Sequence, residues 1–77
     1  MRKLKLIWDF RGPDALKIAE HHEMHLKQYI IAEKLSLSIT GFEILNDFHA
    51  IAFMVVTDDE MKPVRAALKP HRGQLFQ

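Results

Sequence analysis

The stretch Lys3-Leu4-Lys5-Leu6-Ile7-Trp8-Asp9-Phe10, followed at once by Arg11-Gly12-Pro13-Asp14, decides how this chain folds. Leu4, Leu6, Trp8 and Phe10 alternate with Lys3, Lys5, Ile7 and Asp9. A period of two with four large apolar residues on one side defines a half-buried strand. Gly12-Pro13-Asp14 then ends the strand and opens a helix, because proline suits the first helical position and an aspartate in the first turn complements the dipole. The helix is expected to run to about Lys34. Its inner stripe reads Ala15, Ile18, Ala19, His22, Leu26, Tyr29, Ile30 and Glu33, with His25 at the margin.

Working outward, residues 39 to 46 read as a second strand, irregular at Thr40-Gly41, where the apolar phase shifts before Phe42 and Ile44. Asn46-Asp47-Phe48 has the composition of a tight turn. Residues 49 to 57 (HAIAFMVVT) form a third strand, apolar on both faces. Thr57-Asp58-Asp59-Glu60 has capping-box spacing and opens a second helix carrying Met61, Val64, Ala67 and Leu68. Pro63 lies deeper than a first-turn proline, so the regular helix is expected to begin near it, and it stops before Pro70. Residues 72 to 76 make a short last strand.

The order β-α-β-β-α-β is the split βαβ, or ferredoxin-like, α+β arrangement in a single domain spanning residues 1 to 77. Two right-handed crossovers place both helices on one face of a four-stranded antiparallel sheet. With Leu4, Leu6, Trp8 and Phe10 facing the helices, Ile7 and Leu45 point the other way. They are joined by one register of the third strand, either Ile51, Phe53 and Val55 or Ala50, Ala52, Met54 and Val56. Contiguous apolar patches of that kind mark interfaces, so a homodimer through the open sheet face is expected.

Composition narrows the functional classes. Seventy-seven residues bury only about 60% of the unfolded chain's surface. The absence of cysteine excludes disulfides, thiolate metal sites and thiol nucleophiles. A net charge of +1 leaves no electrostatic footprint for nucleic acid. No apolar run is long enough for a signal peptide or a membrane span, which makes the cytoplasm the default location.

Chemistry concentrates in Glu20-His21-His22-Glu23-Met24-His25, which holds three of the five histidines. His22 falls at the centre of the buried stripe and reads as a core histidine. His21 and His25, at i and i+4, can share a metal ion such as zinc. His22-Glu23-Met24-His25 has one residue too few for the zinc-protease motif. In a split βαβ fold the end of the first strand, the start of the first helix and the starts of strands three and four lie at one edge. That brings Asp9, Arg11, His49 and His71 towards the helix histidines. The resulting candidate metal ligands are His21, His25, His49 and His71. Lys62, Arg65, Lys69 and Arg72, with His71, form a basic strip able to receive a phosphate or carboxylate, or simply to oppose the dipole of the second helix.

Over nearly its whole length the chain resembles small bacterial ferredoxin-like proteins that pair into dimeric α+β barrels. Residues 12 to 26, Gly12-Pro13-Asp14 through His25-Leu26, are similar to YciI-like proteins, with His22 and Glu23 standing where that family has an arginine and a proline. The resemblance implies an acid-base pair of His25 with Asp9. Strand alternation sends Asp9 away from the helix, so that contact requires the strand end to twist. Three readings stand open. The first is a homodimeric binding or structural protein without catalysis or cofactor. The second is a small enzyme with His25, or failing that His21, as general base, Asp9 orienting it and Arg11 holding a small anionic or aromatic substrate. The third is a histidine-cluster metal-binding module.

Overall fold

The computed structural model describes residues 2–76. Its elements are β1 (Lys3–Arg11), α1 (Ala15–Glu33), β2 (Thr40–Asn46), β3 (His49–Thr57), α2 (Asp58–Leu68) and β4 (Arg72–Phe76). They form one antiparallel sheet of order β2-β3-β1-β4, the ferredoxin-like topology, with both helices on one face. Among the described residues no helix is long and apolar enough to cross a membrane.

Alternation in β1 and β3 sorts side chains between the faces. Leu6, Trp8, Ala50, Ala52, Met54 and Val56 face the helices and are joined in the core by Ala15, Ala19, Leu26, Ile30 and Val64. Small residues meet small residues here: Ala15 and Ala19 of α1 and Ala50 and Ala52 of β3 are all almost fully buried, letting helix and sheet approach closely. The opposite face therefore takes Ile51, Phe53 and Val55 from β3, with Ile7 from β1 in register against Phe53. Phe53 lies flat on Gly41 of β2. A Cβ built there would stand 2.5 Å from the ring, so the glycine is the seat of the aromatic.

Several expectations need correction. Helix α1 starts at Ala15 with Asp14 as its N-cap, so Pro13 and Asp14 precede the first turn. Gly12, at φ 113°, makes the sharp exit from β1 that a side chain would oppose. The buried stripe of α1 is rotated from the one expected: Ile18 is 46% exposed and Glu33 is exposed, whereas Glu23 is 9% exposed. Glu23 tolerates this because its carboxylate accepts the Thr40 hydroxyl at 2.9 Å and lies 3.7 Å from Lys27 Nζ. The irregularity of β2 falls at Ile44/Asn46 rather than at Thr40-Gly41. Asn46 Oδ1 accepts the Phe48 N–H at 2.9 Å and closes the turn that follows. Helix α2 is regular from Asp58, with the capping box formed between Thr57 and Glu60. Pro63 is held inside it, on the exposed side, away from the core.

Candidate functional site

Asp9 faces away from the helices, opposite Ile51 of β3. His49 opens β3 and Arg72 opens β4, each one diagonal step from Asp9 in the ladder. Diagonal neighbours lie within reach of long side chains. The Arg72 guanidinium donates twice to Asp9, from Nε to Oδ2 at 2.9 Å and from Nη2 to Oδ1 at 3.0 Å. His49 Nε2 meets Oδ1 at 2.8 Å. One carboxylate thus clips together three strands. The side chains of Asp9 and His49 are 16% and 14% exposed, while Arg72 is half in solvent.

The Arg72 hydrogen bonds, and then that of His49, outweigh burial and hold the Asp9 carboxyl far below the ordinary carboxylate range. Arg72 is raised in turn by Asp9. An ionised carboxylate can only accept, so His49 Nε2 carries the hydrogen and its Nδ1 is the free lone pair in the neutral ring.

A second arrangement backs onto this one. The Asp9 backbone N–H donates to His71 Nδ1 at 2.8 Å, and the His71 backbone N–H donates to the Ile7 carbonyl at 2.9 Å. In the neutral ring the His71 hydrogen therefore sits on Nε2. His71 meets the ring of Phe10 edge-on, with centroids 6.4 Å apart, and Phe10 in turn lies 5.3 Å from His22. His22 is half-buried between Phe10 and Trp8, and its Nε2 is buried without a hydrogen-bond partner among the described residues. Burial, reinforced by His25, His71 and His21, lowers its pKa. His22, expected as a buried core histidine, packs at the edge of the core instead, with one end of its ring unsatisfied.

His21 and His25 touch on the exposed side of α1, with their Nε2 atoms 3.0 Å apart. They offer two imidazoles, half the ligand set of a tetrahedral zinc site. His49 and His71, expected to complete that set, are engaged around Asp9 instead. Among the described residues no group of three or more histidine, aspartate or glutamate side chains is arranged to hold a metal ion.

The imidazole that meets Asp9 is therefore that of His49, not His25, and the guanidinium beside it is that of Arg72, not Arg11. Arg11 ends β1 opposite His49, is exposed, and makes no ion pair among the described residues. The missed signal was register. Aligning β4 so that Arg72 falls opposite Ile7 puts its side chain one diagonal step from Asp9 on the same face. The chain matches no family model, no curated protein and no solved structure.

Proposed function

We propose that this chain is a homodimeric binding protein whose two copies meet through the open faces of their sheets, without catalysis. The observation that carries this reading is β3, apolar on both faces in a fold whose helices cover only one. Ile7, Ile51 and Val55 are no more than 4% exposed within a single chain, sunk between neighbouring side chains. A second copy would thus meet the half-buried ring of Phe53, with Lys5 Nζ 4.3 Å from its centre, inside a rim formed by Arg11, Glu43 and Arg72. The Asp9 clasp fits this role. A carboxylate doubly bonded to arginine is a weak proton acceptor and a good strand fastener. Sedimentation equilibrium on wild type and Phe53→Asp tests the reading: a dimer that becomes monomer in the variant supports it, and a wild-type monomer at all concentrations removes it.

A second reading has its own observation. His49, oriented by Asp9 through Nε2, presents the Nδ1 lone pair as a general base for a small anionic substrate. A positioned histidine contributes about 10²- to 10⁴-fold by proton transfer. A His49 imidazole resonance that shifts when small carboxylates are titrated in supports this role, and an indifferent one argues for the clasp alone.

A further inference from the structure

We infer that the cleft between α2 and β4 binds an amphipathic anion, with its charged head at Arg65 and His71 and its apolar tail over Leu4, Leu6 and Met61. The cleft encloses about 310 Å³, at the lower end of the range for small-molecule sites. Its lining falls into two chemistries. Leu4, Leu6 and Met61 supply an apolar floor, and among the described residues Arg65, His71 and Arg72 supply the charged or titratable groups of the lining, with no carboxylate beside them.

The cleft exists because of one residue. Gly73 pairs with Leu6 and so faces the helix side, yet brings no side chain to fill the space. A Cβ at Gly73 would meet Leu6 Cδ2 at 3.5 Å and the Lys5 carbonyl at 3.7 Å, ordinary contact distances, and its φ lies outside the left-handed region. The backbone therefore accepts a side chain at this position.

The polar groups divide by availability. The Arg72 guanidinium is committed to Asp9 on the other face. Arg65 makes no ion pair among the described residues. His71 uses Nδ1 to accept the Asp9 N–H, which leaves Nε2–H as a free donor. One free cation and one free donor beside an apolar floor match a carboxylate or phosphate head on a short aliphatic tail. A guanidinium pairs with either head through parallel N–H donors.

The test is calorimetry on the full chain with octanoate, octyl phosphate, acetate and octanol, read in parallel by fluorescence of Trp8, whose indole N–H bonds the Leu68 carbonyl at the end of α2. The expected result is saturable binding of octanoate or octyl phosphate at least tenfold tighter than acetate or octanol. A preference between the two heads identifies which anion the cleft takes. Arg65→Gln, on the helix surface, should weaken binding at least tenfold with an unchanged melting profile. Gly73→Val, which fills the cavity, should abolish binding in a protein that still melts cooperatively. Octanol binding as tightly as octanoate would overturn the inference. So would undiminished octanoate binding in either variant, or no binding of any probe.

Discussion

The two faces of this sheet use the same strands to solve opposite problems. On the helix face, Met54 and Val56 are fully buried and one polar side chain packed beside the core, His22, is left with an unsatisfied ring nitrogen. On the open face, the Asp9 carboxylate is saturated by Arg72 and His49. Burial keeps the histidine neutral, and partners keep the carboxylate charged. The lesson concerns acid. Both folded-state pKa values lie below their unfolded ones, so both groups cost stability as protons are added, but in separate windows. The contribution of His22 is complete above about 6.5 and falls below it; that of Asp9 is complete above about 4 and falls only below that.

The largest expected effect comes from the helix face. Met54→Ala should cost about 2–5 kcal/mol in chemical denaturation, independent of protein concentration. Phe53→Ala, on the open face, should show a cost that grows with protein concentration if that face is shared between two copies. Equal and concentration-independent losses would erase the distinction between the faces.

Next is the clasp. Asp9→Asn should cost about 1–2 kcal/mol at neutral pH, the lower end reflecting the solvent around Arg72. It should also flatten the stability profile below about pH 4, where the wild type loses the ionised carboxylate. An unchanged acid limb in urea titrations across that range would show that Asp9 is not the group responsible.

For His22, replacement by phenylalanine removes both the orphan nitrogen and the titration. Stability at pH 7 should move by less than about 1.5 kcal/mol, because the phenyl ring is only one atom larger than the imidazole it replaces. The gain over wild type should widen from pH 6.5 to pH 5, as the wild type alone is asked to accept a buried proton. A constant difference between the two proteins over that interval would contradict the account. Thr57→Ala, which breaks the capping box of α2, should cost about 1 kcal/mol, the same at every pH from 6 to 8.

The architecture was legible because its signals are local and agree with one another. The limits expected for β3 and β4 coincide with those observed, each strand starting directly after a turn segment, Asn46-Asp47-Phe48 or Pro70-His71. What failed was rotation and register. A helical wheel weighs Ile18 by hydrophobicity and cannot foresee that Thr40 would offer Glu23 a partner and turn the helix towards it. Likewise, Arg72 looked like one member of a basic strip. Only the pairing of Ile7 with Arg72, a contact between residues 65 positions apart, aims it at Asp9. Topology leads to the expectation that all five histidines gather at one edge, whereas His49 and His71 meet Asp9, His22 packs on Trp8 and Phe10, and His21 and His25 pair with each other. Which nitrogen meets which partner depends on side-chain direction, and sequence spacing does not carry that information.

The most direct test of the account is the mass in solution. Sedimentation equilibrium of the wild type should give twice the 9.0 kDa chain mass. Phe53→Asp should give the chain mass itself with far-ultraviolet dichroism retained. A folded wild type sedimenting as a single chain across the concentration range would contradict pairing through the open face.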